Sequence, residues 1–253
     1  KEIFPKVKLI IYQLGHYFPI SQNVFVKNLE RKKCDYFLVF NREIKKILHR
    51  MKTKFLIIGS IKNNSRTKKN SKKIYDLMFI SEFRKLHPES RKKYLINKKN
   101  LHDDYNSEYY GNVHAALILE YLNEYCKRYK KKLVIGKSAK RKDKVNKISS
   151  FDEDIFHNYY LPNNIVNKQF DSESLAEKSK VIICMTSNLG LELASKRYKV
   201  FFLNLNYLTY SWSFNQKKEE KIFWAKHLDR NNISKKINKL MNMSEIKYNN
   251  IFR

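Results

Sequence analysis

Residues Val181 to Asn204 read VIICMTSNLGLELASKRYKVFFLN. Val181 to Met185 is an unbroken apolar run, as expected of a strand buried on both faces of a parallel sheet. Thr186-Ser187-Asn188 follows, three residues that can each cap a helix start. Leu189, Leu193 and Ala194 then recur at helical spacing. Gly190 falls in the first turn, and Lys196 and Arg197 in the last, where cations suit the helix dipole. Val200 to Leu203 is a second buried strand. The stretch predicts one β-α-β unit with a small polar turn at the carboxyl end of its first strand.

Such a turn is where an open α/β sheet takes its ligand. The first N–H groups of a helix lack internal partners and the dipole adds positive charge, so the place suits a phosphate. Gly190 carries no side chain to block a close approach. Glu192, one turn into the helix, can accept hydrogen bonds from two sugar hydroxyls. It is not three residues after Ser187, so the two do not form a capping box. The competing reading is an ordinary helix start with a solvated Glu, since the stretch is neither a Walker nor a Gly-rich fingerprint.

A chain of 253 residues holds one large α/β domain or two small ones, and 42% hydrophobic content excludes wholesale disorder. The net charge of +29 invites a nucleic-acid reading. Lys, Asn and Ile are abundant throughout, however, as an AT-rich genome produces, so nucleic acid is disfavoured. Nucleotides, acidic glycans and peripheral contact with an anionic membrane fit the charge better. Cys34, Cys126 and Cys184 are far apart in apolar contexts and read as reduced core thiols, with no metal spacing. No apolar run reaches about 18 residues and no signal peptide is visible, so a cytoplasmic protein is expected, working at the inner face of the membrane. The chain starts at Lys1 rather than Met, which reads as a fragment or a trimmed chain.

Residues 1–60 carry strand signals at Val7 to Tyr12, Tyr36 to Phe40 and Phe55 to Ser60, with a helix opening at Asn41. They read as the remnant of an amino-terminal α/β domain. His16 follows Gln13-Leu14-Gly15 at a strand end, where it is either a cleft-facing base or a packed surface histidine. Residues 61–73, IKNNSRTKKNSKK, are polar and basic and read as a linker. An RNA-binding arm is the alternative, but it lacks interleaved aromatics.

Residues 74–253 read as a carboxyl-terminal α/β domain. Its strands begin at Tyr75 to Ser81 and Leu133 to Ile135. The strongest helix runs from about Asn112 to Lys130, with a Tyr stripe at 121, 125 and 129 assigned to the core and His114 to an exposed or capping place. Gly136-Lys137-Ser138 follows a strand, where Lys137 can reach a diphosphate or remain solvated. Asp152-Glu153-Asp154 resembles a metal motif but follows a basic loop and reads as a solvated turn. Tyr159 to Leu161 reads as a short strand, Ser172 to Lys178 as a short helix, and Ile233 to Met243 as a closing helix.

The order SLAEKSK, VIICMTS, NLGLELASKRYK, VFFLN resembles the carboxyl-terminal domain of GT-B glycosyltransferases. A nearer resemblance is to a family of transferases in bacterial surface-carbohydrate biosynthesis. It rests on Gln13 to His16, Cys34 to Phe37, Ile58 to Ser60 and Phe79 to Arg84, in that order. The chain has Gln-Leu-Gly-His where that family has Gln-His-Gly. The resemblance implies two Rossmann-like parallel-sheet layers, the amino-terminal one incomplete. It implies a nucleotide-sugar donor bound mainly by the carboxyl-terminal domain, with neither cofactor nor metal at the diphosphate. It implies that Ser187, Asn188, Leu189 and Gly190 meet phosphate and that Glu192 meets the ribose. The expected function is transfer of a sugar to a glycan or lipid-linked acceptor. His16 is the expected base, facing the same cleft as Thr186 to Gly190, and Lys137 stabilises the leaving diphosphate. A nucleotide-sugar epimerase and a basic RNA-binding protein are the rival expectations.

Overall fold

The computed structural model describes residues 8–12, 34–39, 42–48, 51–59, 71–83, 107–137, 147–161, 172–203, 222–225 and 227–251. The fold is mixed α/β with two separate parallel sheets, one in each of two compact units. The units are Lys1–Thr67 with Trp212–Gln216, and Lys68–Ser211 with Lys217–Arg253. This is the fold class expected from the buried strand runs.

In the first unit, β1 (Ile10–Tyr12), β2 (Tyr36–Val39) and β3 (Lys54–Ile57) pair in parallel in the order β1-β2-β3, and α1 (Arg42–Ile47) links the last two. Phe37 and Val39 alternate inward from β2 and meet Leu48, Met51 and Cys34 in a small core. The Asp35 carboxylate accepts the Leu9 N–H at 2.8 Å and so fixes the start of β1 against β2.

The second unit has five parallel strands in the order β5-β4-β6-β7-β8. They are β4 (Tyr75–Ile80), β5 (Leu133–Gly136), β6 (Ser179–Cys184), β7 (Val200–Leu203) and β8 (Trp224–Ala225). The chain lays β5 on one side of β4 and then crosses to lay β6 on the other, with Leu77 opposite both Leu133 and Val181. The order therefore reverses beside β4, and the carboxyl ends of β4 and β6 flank the switch point. Side chains alternate across the sheet. Leu77, Phe79, Val181, Ile183 and Phe201 face α2 (Ser107–Tyr129) and α6 (Arg230–Asn242), whose Ile118, Leu122, Ile233 and Ile237 complete that core. The two helices are stitched by Tyr121 to Ser234 at 2.9 Å and Tyr125 donating to Asn238 at 2.5 Å, so the buried phenols keep partners.

On the opposite face lie α4 (Ser172–Glu177) and α5 (Asn188–Ser195), the latter connecting β6 to β7. Helix α5 ends at Ser195, so Lys196 and Arg197 follow its last turn instead of lying in it. Lys196 is its C-cap and Arg197 takes φ 67, a left-handed terminus in which the Tyr198 N–H reaches the Leu193 carbonyl at 3.1 Å. A further helix, α7 (Glu245–Ile251), closes the chain after α6 and buries Tyr248.

Several local expectations change. Helix α3 (Lys147–Tyr160) takes in both Asp152 to Asp154, expected as a solvated turn, and Tyr159 and Tyr160, expected as a strand. Its buried residues Glu153, His157 and Leu161 recur every four residues, a period that the neighbouring charges and Tyr pair obscure. His114 is buried rather than exposed, because α2 begins at Ser107 and places it two turns inside. Of the proposed linker, residues 61–70 lie outside the described residues. Its end belongs to the second unit: Lys73 Nζ donates to the Glu177 carbonyl at 2.7 Å.

Candidate functional site

The carboxyl ends of β5, β4 and β6 lie side by side, and each carries polar residues. Beyond β6, Ser187 caps α5: its extended backbone (φ -66, ψ 132) points the side-chain oxygen at the Leu189 N–H, 3.2 Å away. The Gly190 N–H is taken by the Ser187 carbonyl at 3.0 Å.

Beyond β4, Ile80 is followed by Ser81, whose N–H still pairs with the Gly136 carbonyl at 2.8 Å, and then by Glu82. Strand alternation puts Glu82 on the same face as Met78 and Ile80, the face on which α5 sits. Its carboxylate reaches across to the β6 turn. Oε1 accepts the N–H groups of Thr186 at 2.6 Å and Ser187 at 2.8 Å, and Oε2 accepts the Thr186 hydroxyl. The Cys184 thiol also points at Oε1, 3.9 Å away. Burial pushes the Glu82 pKa up, and the hydrogen bonds from Thr186, Ser187 and Met185 oppose that shift without cancelling it. Burial and the neighbouring Glu82 carboxylate hold the Cys184 pKa well above its ordinary value, so this thiol stays protonated.

The turn thus already holds an anion, and that anion is internal. The Thr186 and Ser187 N–H groups, expected to cradle phosphate, are occupied by Glu82, and those of Leu189 and Gly190 are closed locally. Gly190 has a packing role: a Cβ there would stand 2.3 Å from Cys184 Sγ and 3.3 Å from Phe202 Cε1, so the glycine lets α5 approach the sheet. What the turn still offers outward is the Ser187 hydroxyl, the exposed Asn188 and the partly buried Glu192.

Beyond β5, Lys137 is buried and ion-paired with Asp154 of α3. Its carbonyl accepts the Ser172 hydroxyl at 3.2 Å, which ties the strand end to α4. From Lys137 to the Thr186 turn spans two strand spacings, about 10 Å. One turn along α3 from Asp154 lies His157. Burial, reinforced by the Lys137 charge and opposed by Asp154, brings its pKa down to about 4, so the ring is neutral.

Residues 15–252 match a family described as "putative O-antigen biosynthesis protein". The chain belongs to that family. No curated protein matches it. Among solved structures, the crystal structure of TarM aligns over 98% of this chain and 45% of its own, with 14% identity and a TM-score of 0.44. The O-antigen-family chain thus spans less than half the length of that protein.

In this O-antigen-family member, the site brings Thr186 and Ser187 together with Glu82, and Lys137 together with Asp154 and His157. His16, with Gln13 to Gly15, lies outside the described residues. Glu82 carried a readable signal: a carboxylate two residues past a buried strand, beside a strand ending in cap residues. Asp154 and His157 showed only an i, i+3 spacing in a helix whose period was obscured.

Proposed function

We propose that the chain is a glycosyltransferase of GT-B type that moves a sugar from a nucleotide-sugar donor to a bacterial surface glycan or its lipid-linked precursor. The observation that supports this reading is the placement of Glu82 with Thr186-Ser187 at the switch point of a parallel sheet, and of Lys137 at the end of the neighbouring strand, in a member of an O-antigen biosynthesis family. Surface glycans grow by sugar transfer from activated donors, and a switch-point edge is where parallel sheets take nucleotides.

In this reading the acceptor hydroxyl oxygen forms a bond to the anomeric carbon, the bond from that carbon to the donor phosphate breaks, and the hydroxyl proton passes to a base. His16 is the proposed base on sequence grounds. Lys137 takes the charge that develops on the leaving phosphate, in a buried setting where a cation acts strongly. Glu82 positions the Thr186-Ser187 turn. Ser187 and Asn188 then present hydrogen-bonding groups, and Glu192 meets the ribose. The donor is a substrate, and no cofactor is assigned.

The test is incubation of the protein with labelled nucleotide-sugars, with and without surface-glycan acceptor. Transfer of label that requires acceptor is the expected result. Conversion of the sugar without acceptor would make the protein an epimerase, and absence of both reactions across the donor panel would refute the transferase reading.

A further inference from the structure

Helix α3 carries a group that the reading above leaves unused. His157 is 3% exposed, and both of its ring nitrogens are buried without a hydrogen-bond partner among the described residues. A neutral imidazole has one donor and one acceptor to satisfy, and leaving both unmet inside a protein lowers stability. A group retained at that cost is a candidate for function. Its surroundings are specific. Lys137 faces it from the end of β5 and Asp154 from its own helix. On α2, which packs against α3, Glu120 acts on Tyr160 and is not among the charges that act on His157. Phe156 beside it stacks on Phe83, 5.0 Å between centroids, and makes that side apolar.

The ion pair at this place is asymmetric. The Lys137 side chain is 6% exposed and that of Asp154 is 44% exposed. The carboxylate is therefore the member able to swing into solvent. A phosphate offers more charge and more acceptor oxygens than a carboxylate does, so it competes well for the same ammonium.

Resting on the transferase reading, we infer that Lys137, Asp154 and His157 form the phosphate-recognition part of the donor site. An incoming nucleotide phosphate replaces the Asp154 carboxylate on Lys137 and accepts a hydrogen bond from a His157 ring N–H. Asp154 holds the lysine in place until the donor arrives, and His157 is the donor group whose partner is the substrate.

The experiment is calorimetric titration of uridine, guanosine and thymidine diphosphates and cytidine monophosphate into the wild type, Asp154→Asn, His157→Phe and His157→Gln, with the unfolding midpoint of each. Asp154→Asn should bind the preferred nucleotide several-fold tighter, because the competitor on Lys137 has lost its charge. His157→Phe should bind roughly tenfold weaker, a loss of about 1.4 kcal/mol, while its unfolding midpoint stays or rises. His157→Gln, which keeps an N–H donor, should recover part of that affinity. Wild-type binding with unchanged affinity in His157→Phe, or weaker binding in Asp154→Asn, would overturn this inference and leave the transferase reading standing. Absence of binding by the wild type to any nucleotide would overturn both.

Discussion

The Glu82 carboxylate accepts the backbone N–H groups of both Thr186 and Ser187, at 2.6 and 2.8 Å, across two neighbouring strands. A helix start that would attract a phosphate carries instead a carboxylate from its own sheet. The turn is held from within by Glu82, and in the proposed transferase the cation for a ligand is Lys137, two strands away.

Removing that carboxylate should loosen the turn. Glu82→Ala leaves two buried N–H groups and the Thr186 hydroxyl without their acceptor. Hydrogen bonds to a charged group contribute about 1.5–3 kcal/mol each, and water recovers part of the loss, so a destabilisation of about 2–4 kcal/mol is expected. Urea unfolding of Glu82→Ala and Glu82→Gln should rank the alanine variant lower. Equal stability of Glu82→Ala and wild type would show that the turn stands without its anchor.

Gly190→Ala should be a packing lesion. The new methyl group would lie 2.3 Å from Cys184 Sγ and 3.0 Å from its Cβ, in a fully buried contact. Overpacking of this kind costs about 1–3 kcal/mol. Adding Cys184→Ala removes the nearer clash, so the double variant should be more stable than the sum of the single effects. Strict additivity in thermal unfolding would contradict the close approach of α5 to the sheet.

The fold is legible because the strands of the second sheet other than the two-residue β8 are short, mainly apolar runs ended by polar residues. VIICM, VFFL and LVIG announce themselves, and the helix between the first two follows from Leu189, Leu193 and Ala194. The site was less so. Thr186 and Ser187 were visible as cap residues, but what fills a cap is a tertiary fact, and Glu82 comes from a strand about a hundred residues earlier. The packing role of Gly190 is not legible, because a glycine near a helix start serves ligand approach and helix–sheet packing alike, and the closeness of Cys184 is a tertiary fact. Asp154 does keep an exposed side chain, but its pairing with Lys137 is not legible, because sequence does not reveal that Lys137 is buried beside it.

Acid should act on His157. Its folded-state pKa is about 4 against an ordinary 6.5, so the unfolded chain binds the proton more readily between those values and stability falls as pH drops through that window. For this group alone the loss from about pH 6.5 to about pH 5 is on the order of 1–2 kcal/mol. Glu82 works the other way, since its raised pKa contributes stability at low pH that is lost as pH rises through the folded value. The comparison of His157→Phe with wild type isolates the histidine: the variant should lose less stability on acidification. Parallel pH profiles would place the wild-type acid sensitivity elsewhere.

Glu192→Gln should weaken nucleotide binding far more than folding. A carboxylate accepting a ribose hydroxyl contributes about 1.5–3 kcal/mol, or roughly 10- to 150-fold in affinity. The amide keeps the shape, so stability should change by less than about 0.5 kcal/mol. Calorimetry and unfolding on the same variant check both. Unchanged affinity would remove Glu192 from the ribose site.

The most direct measurement is the unfolding midpoint of wild type and Lys137→Ala, each with and without the nucleotide panel at saturating concentration. A ligand at about a hundred times its Kd stabilises the folded state by about 2.7 kcal/mol. The wild type should gain several degrees with one nucleotide class, and Lys137→Ala should gain little or nothing. A wild type that no nucleotide stabilises, or an equal gain in both proteins, would contradict the assignment of a nucleotide-donor site to this edge of the sheet.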